Sequence, residues 1–305
     1  MCWNRLALLA GIAAACAATL PAAADPVALL PYYEVTRYAS EVTLCGDLSF
    51  AHDGECFASN ADNSAPSHVS RVPVGGGIAS VFGPTVFDPD AVLAADDGGV
   101  YVGASSSIHH ISWDGSTISL LTSGGHLHNV TFLQHDGQGN LLASSLSNGS
   151  IVRVAPDGTQ SVAYETGLNE ITTFAFDGHG ELYVGEHGPR VYRYLAENTL
   201  ELIVATDHAY ASGIMFDERD RMFVTDLGGL YAVDPGLHTA TLAVAFDRCE
   251  GATYFGGSIY VSESLASEVW RVNVVPEPSS MVLMGSALAC VVTRRLRRCA
   301  TRRRT

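Results

Sequence analysis

One short pattern recurs six times between residues 55 and 262. It reads Glu55-Cys56-Phe57-Ala58, Val100-Tyr101-Val102-Gly103 and Leu141-Leu142-Ala143-Ser144, then Leu182-Tyr183-Val184-Gly185, Met222-Phe223-Val224-Thr225 and Ile259-Tyr260-Val261-Ser262. The central residues Phe57, Tyr101, Leu142, Tyr183, Phe223 and Tyr260 stand 44, 41, 41, 40 and 37 positions apart. A period near 40 that holds only strand-type segments is the mark of a radial array of small antiparallel sheets, a β-propeller.

The inside of each repeat agrees. A strand ending in a turn, such as Phe174-Ala175-Phe176-Asp177-Gly178, comes before the central strand. A third strand follows, as in Val191-Tyr192-Arg193-Tyr194, and then a fourth, as at 200–205. Asp-Gly, Asn-Gly and Gly-Gly pairs supply the positive φ angles that tight hairpins require. No helical period persists over 11 or more residues. Six repeats predict six blades, and only the last lacks a fourth strand. The tyrosine-rich residues 32–38 stand just before the first repeat and predict that missing strand, paired with 269–274. Closing the ring in this way hides sheet edges that would otherwise invite aggregation. The expected fold is all-β: a six-bladed β-propeller, its ring closed by the N-terminal strand, over residues 25–275.

Both ends read as targeting segments. Residues 1–24 combine Arg5, an apolar stretch at 6–20 and the small residues Ala22-Ala23-Ala24, the layout of a secretory signal peptide. At the other end, 276–305, Pro276-Glu277-Pro278-Ser279-Ser280 precedes an apolar run at 281–293 and seven arginines between Arg294 and Arg304. Arginine resists translocation. Thirteen helical residues reach only about 20 Å, short of a hydrocarbon core of about 30 Å, so the run suits a transient membrane signal. This order closely resembles the PEP-CTERM sorting tail. The resemblance implies export by the Sec machinery in a Gram-negative bacterium, transient inner-membrane anchoring, and recognition and removal of the tail by an exosortase. The expected destination is the cell surface or extracellular matrix.

Eight of the 17 basic residues and one of the 32 acids, Glu277, lie in these two ends, leaving nine against 31, a balance of −22, with no lysine anywhere. Such a surface repels nucleic acid and anionic lipid headgroups. Four of the seven cysteines also lie in the ends. Cys45, Cys56 and Cys249 remain for an oxidising compartment. Cys45 and Cys249 precede the inner strands of the first and last repeats, which are neighbours in a closed ring, and a bond between them would staple it. A Cys45–Cys56 bond and three free thiols are the alternatives.

Three residues past the repeat's central position the column reads Asn60, Ala104, Ser145, Glu186, Asp226 and Glu263. Carboxylates thus stand at one level in three successive blades. His128-Asn129, Asn169-Glu170 and Glu250 lie just before first strands and are expected at the same mouth. Converging oxygens of this kind suit a hard cation such as Ca²⁺. No His-Glu-x-x-His, Cys-x-x-Cys or Gly-x-Ser-x-Gly pattern occurs. The repeat formula of Phe-Asp, then Leu-Tyr-Val, then Val-x-Arg-Val resembles the NHL and gluconolactonase-like propellers. Gluconolactonase-like enzymes hold a divalent ion in the channel and use it to polarise a lactone carbonyl. That resemblance implies Glu186, Asp226, Asn169 and Asn129 as ligands of a Ca²⁺ ion. The chain lacks the sequence that surrounds those ligands in that family. Two functions follow. One is a non-catalytic surface or matrix propeller that binds exopolysaccharide or another surface protein. The other is a divalent-metal-dependent lactonase or esterase.

Overall fold

The computed structural model describes residues 23–60 and 66–275; the signal segment 1–22, the sorting residues Pro276, Glu277 and Pro278, and the tail lie outside the described residues. Six antiparallel sheets stand around one axis. Blade one spans 45–87, blade two 89–123, blade three 133–165, blade four 171–205, blade five 213–245 and blade six 249–274. In each, the repeat's central residue, a tyrosine or phenylalanine in five blades and Leu142 in blade three, lies on the second strand. Those strands are almost wholly buried because both of their faces pack against neighbouring blades.

The ring closes as the sequence predicts. Tyr33–Ser40 pairs antiparallel with the third strand of blade six, Glu268–Val274, in the register Tyr33 to Val274 and Val35 to Val272. The register shifts between Arg37 and Ala39, and the intervening Tyr38 packs edge-on to Tyr260 at 4.8 Å and against Phe50 at 5.9 Å. Phe50 stacks on Phe255 at 4.5 Å. Aromatic side chains therefore weld blade six to blade one beside the backbone seam. Gly251 is required at this joint, because a Cβ there would stand 2.6 Å from the Gly46 carbonyl.

Two short additions were not expected. Val27–Ala28 extends the outer edge of blade five along Val244 and Ala245. Gly77–Ile78 runs parallel to Ala39 and Ser40 on the outer edge of blade six. Both cover backbone groups that an outer strand would otherwise expose. One 3-10 turn, Leu146–Asn148, is the single helical element among the described residues, none of whose helices is long and apolar enough to cross a membrane.

Candidate functional site

First strands run outward from one end of the channel, here called the mouth. In four blades the strand is irregular at that end, with register shifts at Cys45/Leu48, Pro89/Ala91, Ile171/Thr173 and Cys249/Gly251. A bulge inserts a residue without a cross-strand partner and re-aims its side chain. The residues left over are Gly46-Asp47, Asp90, Thr172 and Glu250. Thr131 and Ser212 occupy the corresponding places in blades three and five. With Tyr210, these residues line the mouth.

The acids come from blades one, two and six. Asp47 is buried, accepts the Leu48 amide at 2.9 Å and the Val92 amide at 3.2 Å, and burial pushes its carboxyl up to about 8. Burial, with Asp88 and Glu250 nearby, pushes Asp90 up to about 7. Glu250 pairs with Arg248 Nε at 2.5 Å and accepts from Ser264 Oγ at 3.3 Å. The half-buried Tyr210 faces all three acids. Burial and then these charges hold its hydroxyl well above the usual range.

The hydroxyls from blades three and four turn sideways. Thr131 Oγ1 donates to the Thr172 carbonyl at 2.9 Å, and Thr172 Oγ1 to the Ala211 carbonyl at 2.5 Å. Ser262 Oγ donates to the Gly46 carbonyl at 2.6 Å, and Ser59 Oγ to the Asp90 carbonyl at 2.8 Å. These bonds belt adjoining blades together. The space they leave is about 30 Å³, little more than one water needs.

The residues expected to bind a cation are placed differently. Asp226 is fully buried, and its carboxylate accepts the amides of Gly228 at 2.8 Å, Gly229 at 3.0 Å and His208 at 3.0 Å. Glu186 is held by Arg190 Nε and faces Tyr192. Glu186 and Asn169 share a groove with His187 on the rim of blade four, which Asp226 does not line. Asn129 sits in a left-handed backbone conformation, φ 60°, and its carbonyl accepts the Leu146 amide at 3.0 Å. The column that contains Glu186 ties down loops. Ser145 Oγ accepts the His128 amide at 2.8 Å and Glu263 the Asp247 amide at 2.9 Å, as Asp226 does for His208.

Among the described residues no group of three or more histidine, cysteine, aspartate or glutamate side chains is placed to hold a metal ion. The channel metal implied by the gluconolactonase resemblance needs amides and carboxylates from several blades. Blades three to five present Thr131, Thr172 and Ser212 there instead, and those residues do not fit it. Of the residues expected at the mouth, only Glu250 lines it. His128-Asn129 and Asn169-Glu170 fall short of Thr131 and Thr172. The column that does line it, Asp47, Asp90, Thr131, Thr172, Ser212 and Glu250, stands 10 or 11 residues before the central strand residue in every repeat and was legible as a column of polar residues.

The bridge expected between Cys45 and Cys249 is not formed in this structure. Cys45, Cys56 and Cys249 are buried free thiols. Cys45 packs with Cys56 in the core at the joint of blades one and six, whereas Cys249 packs in the core between blades five and six. Burial pushes all three thiols far above their usual range.

Comparison with known proteins agrees with this fold. Residues 274–298 match the family model of the PEP-CTERM protein-sorting motif. The motif implies an exported protein sorted at the membrane and processed by an exosortase. No match to a curated protein sequence was found. Among solved structures, a gluconolactonase from Xanthomonas campestris superposes with a TM-score of 0.65 at 12% identity, over 83% of this chain and 98% of that one. A putative oxidoreductase (glucose dehydrogenase) from Thermus thermophilus gives 0.63 at 15% identity, over 79% and 99%. A chain of a nidogen/laminin complex gives 0.54 at 15% identity, over 68% and 84%. The chain is thus a six-bladed β-propeller of gluconolactonase-like architecture that carries a PEP-CTERM sorting motif. At these identities the likeness is one of fold, which hosts unrelated functions.

Proposed function

We propose that the chain is a non-catalytic binding propeller, delivered by a secretory signal peptide and an exosortase to the surface or extracellular matrix of an exopolysaccharide-producing Gram-negative bacterium. The sorting motif supports the delivery. The binding role rests on one observation, the closure of the channel mouth. Thr131 and Thr172 spend their hydroxyls on carbonyls across to the next blade, Ser212 on the Thr225 hydroxyl, and a space of about 30 Å³ holds no lactone. A propeller built into a nidogen/laminin complex is a precedent for the architecture in a binding role.

The test pairs two measurements. A lactone and ester panel, with and without Ca²⁺, should give no hydrolysis above buffer. Calcium-dependent hydrolysis would overturn the reading in favour of the metal-dependent lactonase. Intact-mass measurement of protein extracted from the cell surface should find the arginine cluster at 294–304 removed, and a surface form that retains it would overturn the exosortase route.

A further inference from the structure

The far end of the channel differs from the mouth. Beyond the mouth the channel wall turns apolar, and Phe132, Phe174, Ile214 and Met215 line a cavity of about 260 Å³. A second cavity of about 390 Å³ opens beside it between blades three and four. Gln134 and Phe176 line both, so the two meet at these side chains. Each lies near or within the roughly 300–1,000 Å³ of small-molecule sites, which combine apolar walls with a few placed polar groups.

The second cavity has that composition. Tyr164 and Phe176 form an aromatic wall, their rings 6.1 Å apart, and Tyr194 braces Tyr164 edge-on at 5.3 Å. Gln134 and Gln138 bring amides. Asp136 and Arg153 contribute no net charge, because Arg153 Nε donates to the Asp136 carboxylate at 3.3 Å. Gln134 Oε1 is buried and has no hydrogen-bond partner among the described residues. A buried acceptor left unmade is costly, and a turn of the Gln134 side chain into the junction that it lines would bring the oxygen to a donor from outside the chain.

We propose that this end of the propeller binds a neutral oligosaccharide, with sugar C–H faces on Tyr164 and Phe176 and a hydroxyl donated to Gln134 Oε1. The aromatic wall asks for a flat apolar face and the amides for hydroxyls at its edge, and a sugar ring carries both. The acidic chain, −15 overall, disfavours anionic polymers. The proposal rests on the binding-module reading and names its ligand class.

Calorimetric titration of the full chain, in a detergent without a sugar headgroup, tests it. The probes are cellohexaose, maltohexaose, mannohexaose and chitohexaose, with polygalacturonate as the acidic comparison. At least one neutral hexaose should bind and polygalacturonate should not. Gln134→Leu removes the orphan oxygen at nearly constant shape. It should weaken binding at least tenfold while the melting temperature holds or rises, so a folding defect cannot account for the loss. Tyr164→Ala should weaken binding similarly. Absence of millimolar or tighter binding by every neutral probe, or wild-type affinity in both variants, would overturn the site. Binding of polygalacturonate in their place would overturn the neutral-sugar assignment. Lactone hydrolysis by the same preparation would overturn the non-catalytic reading and leave this site to the titration.

Discussion

Ser262 Oγ donates to the Gly46 carbonyl at 2.6 Å, joining the last blade to the first at the channel wall. Ser262→Ala leaves a buried carbonyl short of a partner, which costs about 1–3 kcal/mol. A lowered midpoint in urea unfolding, with the slope unchanged, is the expected result. Deleting residues 26–40 removes the whole closing strand and should produce aggregation. A soluble deletion variant that melts at the wild-type temperature would refute the closure.

Asp226 is a tether for backbone amides, so its removal should be felt as stability. Asp226→Ala strands the three amides of Gly228, Gly229 and His208, a loss of about 2–4 kcal/mol. Melting with and without Ca²⁺ should show the same loss. A calcium-induced rise in the wild type that vanishes in the variant would make Asp226 a ligand after all.

Stability should fall as pH rises from about 4 to about 8. Asp47 and Asp90 are pushed up to about 8 and 7 by burial, against about 3.9 in an unfolded chain. Between those values the folded chain holds more protons than the unfolded one. Their contribution is therefore greatest at the acid end and is lost as pH climbs through about 7 and 8. Asp88 and Glu250 add to the cost of ionising Asp90, and the Val92 and Leu48 amides offset part of the burial cost for Asp47. The Asp114 turn carboxyl, held at about 2 by the Ser116 amide and the Ser112 hydroxyl, titrates below this window. Melting temperatures should be higher at pH 5 than at pH 8.5, and Asp47→Asn should flatten the difference.

The three core thiols should be silent in the native protein. Iodoacetamide should leave Cys45, Cys56 and Cys249 unmodified until denaturant is added, and then alkylate all three without a reductant. A cross-linked Cys45–Cys249 peptide would restore the ring staple.

The blades and the closing strand were readable because a 40-residue period and a two-residue alternation are properties of the chain itself. The mouth was less readable. A regular register would set Thr172 opposite Glu186; the bulge sets Ile171 there and leaves Thr172 to line the mouth, and nothing in the residue pattern marks the bulge. Nor does a carboxylate at a strand end announce its partner. Asp226 looks the same in sequence whether it meets a cation or three amides, and only the path of the loop at 207–212 decides. Gly77–Ile78 and Val27–Ala28 are too short for any periodicity.

The seam between Tyr33–Ser40 and Glu268–Val274 also sets a clock. One partner leaves the ribosome more than 200 residues before the other. At about 5–20 residues per second the first strand waits on the order of ten seconds or more for its mate. During that wait the ring cannot close, and the growing end of the array presents an unpaired sheet edge. The strand that ends the wait finishes at Val274, where the sorting motif at 274–298 begins. Closure of the propeller and arrival of the sorting signal are therefore consecutive events on one chain, and the exosortase meets its signal next to a seam that has only just become able to form.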